Sequence, residues 1–209
     1  MLPALYAILE AGSLPDGNLT LATRLARAGV ELIQLRDKHA SSRKIYDTSL
    51  RWSRELLQLG VRMILNDRPD IAAMTHAGGV HVGQEDVPVE IARNLVGEER
   101  WVGVSTHNLE QLREAALTSA DYIAVGPIFP TTTKENPDPV VGLELIRAAR
   151  RLTKKPLVAI GGITIESAEA VFRAGADSVA VARDLLTAGD PSKRAREYLD
   201  AAKVRAQGN

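Results

Sequence analysis

Short apolar runs rich in β-branched residues recur along the chain at intervals of roughly 20 to 30 residues, and the stretches between them carry apolar positions at helical spacing among charged ones. The runs predict strands at 4–9, 32–35, 62–65, 79–82, 101–104, 122–125, 156–160 and 178–181. The spacing between them predicts helices at 18–28, 42–59, 89–95, 109–117, 143–152, 165–174 and from 184 onward, with a short helical turn at 69–75. Capping signals agree with these limits. Asn108 precedes a helical run with Gln111 three residues on, Pro69 suits a first helical turn, and Gly29, Gly60 and Gly175 follow helical runs where a left-handed residue ends a helix. Eight strands, each followed by a helix, imply parallel βα units, and these predict an α/β fold: a single (β/α)8 barrel of the TIM type.

Nothing along the 209 residues divides the chain, so one domain is expected, near the lower size limit for a complete eight-fold barrel. Residues 130–141 stand apart: three prolines, three threonines and no helical period predict a long loop of the kind that binds or covers ligands. The stretch from Pro191 to Asn209 reads as a basic amphipathic covering helix with a polar end.

Lys and Arg number 26 and Asp and Glu number 26, so no overall field draws the chain to nucleic acid or to an anionic membrane. Any anion site must be local. The absence of cysteine excludes disulfides, thiolate metal sites and a thiol nucleophile, and fits a cytoplasmic location. The first ten residues have no basic n-region and meet Glu10 after a short apolar run, which predicts a strand and not a secretion signal. No run approaches the roughly 20 apolar residues of a membrane span. Oligomeric state is left open, a homo-oligomer included.

In such a barrel the chemistry lies at the carboxyl ends of the strands, and nearly every strand here ends in polar residues. The second leads into Gln34-Leu35-Arg36-Asp37-Lys38, whose period of two puts Gln34, Arg36 and Lys38 on one face. Two cations and an amide suit a phosphate or diphosphate; the lesser alternative is that Arg36 and Lys38 are solvated charges paired with Asp37. The third and fourth strands deliver Asn66-Asp67 and Gln84-Glu85-Asp86. Carboxylates on neighbouring strands suit Mg²⁺, whose octahedron is commonly completed by water and substrate phosphate; each Asp alone also suits a helix cap before Pro69 or Pro88. Ser105 follows the fifth strand as a donor or a cap. Thr131, Thr132, Thr133 and Lys134 sit together on the long loop. Gly161-Gly162 and Ala182-Arg183, at the ends of the last two strands, offer the backbone N–H groups that bind monophosphates, and the glycine pair also fits a plain tight turn. The four histidines lack metal-cluster spacing and receive no catalytic role.

Taken in order, Gln34-Leu-Arg-Asp-Lys38, Asn66-Asp67, His81-Val-Gly-Gln-Glu-Asp86, Gly103-Val-Ser-Thr-His107, Asp121-Tyr-Ile-Ala-Val-Gly-Pro-Ile-Phe-Pro-Thr-Thr-Thr-Lys134 and Ala159-Ile-Gly-Gly-Ile163 resemble the thiamine-phosphate synthase family, from the first strand through the eighth. The resemblance implies condensation of 4-amino-2-methyl-5-hydroxymethylpyrimidine diphosphate with 4-methyl-5-(2-phosphoethyl)thiazole, or its carboxylated form, through a pyrimidine carbocation. It implies that the pyrimidine diphosphate meets Gln34, Arg36, Lys38, Asn66, Ser105 and Lys134, with Leu35 and Asp37 in the same binding segment. It makes Asp67 and Asp86 the Mg²⁺ ligands, and Arg36, Lys38, Ser105 and Lys134 the catalytic group. Thr131 to Thr133, Gly162, Ala182 and Arg183 would hold the thiazole phosphate, with Arg183 standing where the family often has Ser. The competing expectations are a thiazole tautomerase, an isomerase or aldolase barrel, and a non-catalytic thiazole-phosphate-binding barrel. The carboxylate pair beside Arg36 and Lys38 argues against the tautomerase and the non-catalytic barrel; an isomerase or aldolase would want a clear catalytic carboxylate or a buried strand-end Lys, a part for which Lys38 and Lys134 could pose.

Overall fold

The structure, a computed structural model, describes residues 1–12, 18–131 and 138–207. Eight strands, β1 (Leu5–Glu10), β2 (Leu32–Arg36), β3 (Arg62–Asn66), β4 (Gly79–Val82), β5 (Trp101–Thr106), β6 (Tyr122–Val125), β7 (Leu157–Ile160) and β8 (Ser178–Val181), close into one barrel. Every neighbouring pair is parallel, including β8 with β1. The helices are α1 (Leu19–Arg27), α2 (Ser42–Gln58), α3 (Pro69–Met74), α4 (Val89–Val96), α5 (Leu109–Leu117), α6 (Gly142–Leu152), α7 (Ile165–Arg173), the four-residue α8 (Arg183–Leu186) and α9 (Pro191–Ala201). A 3-10 helix, Ala202–Gln207, follows α9. The expected fold is the observed one.

Two apolar layers result because side chains alternate along a strand and both faces of a parallel sheet are covered. Outward residues such as Leu5, Ala7, Leu9, Ile33, Leu35, Met63 and Leu65 pack beneath the helices. Inward residues, among them Tyr6, Ile8, Leu32, Ile64, Tyr122, Ala124, Val158 and Ala180, fill the barrel itself. Room for the two tyrosines comes from a missing side chain. A Cβ on Gly103 would lie 2.0 Å from Tyr122 Cζ.

The helix limits follow the predicted caps. Asn108 accepts a hydrogen bond from the Gln111 backbone N–H at 2.9 Å, and Gln111 Oε1 accepts from the His107 N–H, one residue before the cap. Gly29, Gly60 and Gly175 have φ of 103°, 72° and 112°. The stretch expected as a helix from 184 onward is two helices: α8 ends at Leu186, and Asp190 caps α9 by accepting from the Ser192 and Lys193 N–H groups.

Under the barrel, at the amino ends of the strands, two aspartates are clamped by arginines. Arg93 on α4 pairs with Asp121, which also accepts the Val102 N–H at 2.7 Å. Arg150 on α6 pairs with Asp177, which accepts the Leu157 N–H at 2.8 Å. This end is stapled, and the opposite end is left to the chemistry. Among the described residues no helix is long and apolar enough to cross a membrane.

Candidate active site

At the carboxyl ends of the strands opens a cavity of about 750 Å³, and Gln34, Arg36, Lys38, Asn66, Asp67, Asp86, Ser105, Thr131, Gly162, Ala182 and Arg183 all line it. Their convergence has a backbone cause. Several strands run one or two residues past their last apolar position, so Arg36 pairs in register with Glu10 and Asn66 with His81. Gln34, Arg36, Asn66 and Ser105 are thus held in the sheet itself, and Lys38, Asp67 and Asp86 follow within four residues of a strand end.

Two members of the expected set face elsewhere. Leu35 is 1% exposed and points to the helix layer, since it alternates with Gln34 and Arg36. Asp37 Oδ1 accepts the backbone N–H groups of His39 and Ala40, a local turn that keeps its carboxylate out of the cavity lining. Neither residue lines the cavity. Thr132, Thr133 and Lys134 lie outside the described residues.

The cations do not pair with Asp37. Lys38 Nζ is 3.2 Å from Asp67 Oδ2, and Arg36 Nη1 pairs with Glu10, a carboxylate the sequence reading passed over. Asp67 has φ 60°, and its N–H donates to the His81 carbonyl at 2.8 Å, so the backbone turns the side chain to the mouth at the end of β3. Asp and Asn tolerate this left-handed conformation better than most residues. Neither acid caps a helix: Arg68 and Pro88 hold the cap positions of α3 and α4. Asp86 Oδ2 instead accepts the Gly83 N–H at 2.7 Å, closing its own loop. The Asp86 carboxyl lies close enough to act directly on that of Asp67. Burial, together with the charge of Asp86, raises the pKa of Asp67 against the opposing pull of Lys38.

Two carboxyls pressed together, one of them reluctant to ionise, fit a divalent cation, which would relieve both the repulsion and the burial cost. Among the described residues no group of three or more His, Cys, Asp or Glu side chains could hold a metal alone. An ion at Asp67 and Asp86 would therefore take its remaining oxygens from water and ligand.

On the opposite rim, Gly161 and Gly162 have φ of 97° and 63°, and a Cβ at Gly162 would lie 2.4 Å from the Pro130 carbonyl oxygen. Only glycine lets this turn pass so close to the base of the 130–141 loop. Arg183 is exposed at the start of α8.

The least expected feature lies in the cavity floor. Gln34 Nε2 donates to Tyr6 OH at 2.7 Å, Tyr6 OH lies 3.1 Å from Tyr122 OH, Tyr122 OH lies 3.1 Å from His81 Nδ1, and His81 Nε2 lies 2.9 Å from Ser105 Oγ. His81 stacks on Tyr122 with ring centroids 5.6 Å apart. Burial holds the imidazole pKa down to about 4, so the ring is neutral near pH 7. Ser105 makes this contact and caps no helix, α5 being capped by Asn108. Period-two alternation on β1 and β6 could have revealed Tyr6 and Tyr122 as inward residues; their apolar neighbours masked them.

The sequence profile of the family described as Thiamine monophosphate synthase matches residues 5–185. The chain is 52% identical, over 95% of its length and 95% of the relative's, to the thiamine-phosphate synthase of Koribacter versatilis. It is 40% identical to that of Syntrophomonas wolfei, covering 93% of each chain. Among solved structures, thiamine phosphate pyrophosphorylase from Pyrococcus furiosus superposes with a TM-score of 0.86 at 30% identity, covering 97% of this chain and 96% of that one.

Proposed function

The chain belongs to the thiamine monophosphate synthase family and is a transferase, and from that premise we propose that it joins 4-amino-2-methyl-5-hydroxymethylpyrimidine diphosphate to 4-methyl-5-(2-phosphoethyl)thiazole, or its carboxylated form, with Mg²⁺. The products are thiamine phosphate and diphosphate, joined by CO2 when the carboxylated thiazole is the acceptor, its carboxyl carbon leaving as the ring becomes the thiazolium. The observation that carries this reading is the Asp67–Asp86 pair at the cavity mouth with Lys38 against it.

Bound at that pair, Mg²⁺ would supply a Lewis acid for the departing diphosphate. The protein's own side chains do the remainder. Arg36 offers a planar fork to the diphosphate, and Glu10 holds the guanidinium in place beforehand. Lys38, paired with Asp67, adds a second positive charge, and Lys134 adds a third. Asn66 and Ser105 donate hydrogen bonds to the same ligand, and Gln34 faces the pyrimidine. The methylene–oxygen bond breaks with its electron pair passing to the diphosphate, leaving a carbocation stabilised by the aminopyrimidine ring. The thiazole nitrogen donates the pair that forms the new C–N bond. No base is required, which accounts for a cavity where the buried imidazole is engaged at both nitrogens. Thr131 to Thr133, Gly162 and the Ala182-Arg183 turn hold the thiazole phosphate, and orientation of the two ligands supplies the rest of the rate.

The test is a mass-resolved product assay on purified protein with both precursors. Thiamine phosphate is expected with Mg²⁺, is lost on adding EDTA, and returns with excess Mg²⁺. Product undiminished by EDTA refutes the role given to the acids, and no product with Mg²⁺ present refutes the reaction itself.

A further inference from the structure

The five side chains that cross the cavity floor form a chain in which each link fixes the next. A tyrosine hydroxyl has one proton to donate, and a neutral imidazole has one N–H. Gln34 donates its amide N–H to Tyr6, so the Tyr6 proton goes to Tyr122, its other partner among the described residues. Tyr122 thus accepts from Tyr6 and gives its own proton to His81 Nδ1. With Nδ1 an acceptor, the imidazole proton sits on Nε2 and is donated to Ser105 Oγ. The Ser105 hydroxyl proton is then left for the cavity. Reversing any single link would set two donors, or two acceptors, face to face in a buried site, so the chain can reverse only as a whole.

We propose that Tyr6, Tyr122 and His81 are positioning residues that lock the hydrogen-bonding polarity of Ser105 to that of Gln34 across the barrel. The cavity then presents an amide carbonyl at one end of the chain and a hydroxyl donor at the other. The matching ligand brings an amino N–H to Gln34 and an anionic oxygen to Ser105, as an amino-heterocycle attached to a phosphoryl group does. The proposal rests on the synthase reading only for what the two ends touch; the chain itself is a property of the protein without ligand. Three observations make it more than a packing detail. Its inner members are buried, it runs between two residues that line the cavity, and Gly103 lacks a side chain where Tyr122 must lie.

The test reads the imidazole directly. Ligand-free, full-length protein labelled with ¹⁵N in histidine is examined by long-range proton–nitrogen correlation, with His81 assigned by loss of its signals in His81→Gln. Wild type should show a single tautomer protonated on Nε2. Tyr6→Phe removes one hydroxyl that does not touch His81, yet it frees Tyr122 to accept and should bring the Nδ1-protonated form into view. Gln34→Glu, measured at alkaline pH, ends the chain in an acceptor and should move the proton fully to Nδ1. It serves as the second probe if Tyr6→Phe does not fold. Wild type protonated on Nδ1, or an unchanged single tautomer in either folded variant, overturns the proposal. A product assay on the wild-type sample separates the two readings: a tautomer that moves as expected in the variants, while wild type makes no thiamine phosphate, upholds the chain and removes only the synthase role.

Discussion

Replacing Gly103 by alanine puts one methyl group where the structure has least space for it. The added Cβ would lie 2.0, 2.3 and 2.4 Å from Tyr122 Cζ, Cε2 and OH, well inside any normal contact. The tyrosine ring has to move, and its hydroxyl then leaves Tyr6 and His81. Overpacking of this kind costs about 1–3 kcal/mol, and buried groups stripped of a partner cost about 1–3 kcal/mol more. A total near 4 kcal/mol would remove a large share of a domain's usual stability of roughly 5–15 kcal/mol. The measurement is urea unfolding of Gly103→Ala, followed by the same change in a Tyr122→Leu background. In that background the obstructing ring end is absent, so the alanine should cost about 1 kcal/mol or less. Gly60→Ala serves as a control for backbone strain alone: no atom lies within 4 Å of its added Cβ, and its φ of 72° predicts a loss of about 1–2 kcal/mol. If Gly103→Ala costs less than the control, or costs the same with and without the tyrosine, steric conflict at Tyr122 is not the reason for this glycine.

Asp67→Ala should lower turnover by about a hundredfold or more while leaving thiazole-phosphate affinity within a few-fold, and Arg183→Ala should do the opposite; steady-state kinetics with each substrate varied in turn would expose an exchange of the two sites. His81 titrates in the folded chain at about 4 against an ordinary 6.5, so between these values the unfolded chain holds a proton that the folded one refuses. Stability therefore falls as pH drops through that window, by about 3 kcal/mol in full, and His81→Gln should flatten that limb relative to wild type in urea titrations at successive pH values. Arg93→Leu strands the Asp121 carboxylate and should cost about 3 kcal/mol in the same unfolding assay, with kcat/KM of the remaining folded enzyme unchanged.

The barrel was legible because its signals are local and repeated: an apolar run, a helical stretch and a glycine recur around the fold. The polar strand ends were legible for a related reason, since Gln34, Arg36 and Lys38 keep a period of two that one residue of slip would have destroyed. Leu35 and Asp37 fall outside the cavity lining, which a motif read as a block, without that same period, does not reveal. Glu10 and the tyrosines escaped for a different cause. Their partners lie 26 to 116 positions away in sequence, and only closure of the barrel brings Tyr6 to Tyr122 or Glu10 to Arg36. Asp67 shows a third limit: the positive φ that turns it to the mouth belongs to the backbone and leaves no mark in composition.

The arginine–aspartate staples beneath β6 and β8 have a bearing on how such an enzyme can change over generations. Each one anchors a strand by its first residues, remote from the rim, so a new rim side chain meets a stave that is already secured. Novel specificities can be tried there one exchange at a time, and the floor absorbs the trial. Loss of a staple offers no such latitude, and lineages that drift at Arg93 or Arg150 should be weeded out before their altered rims are ever tested.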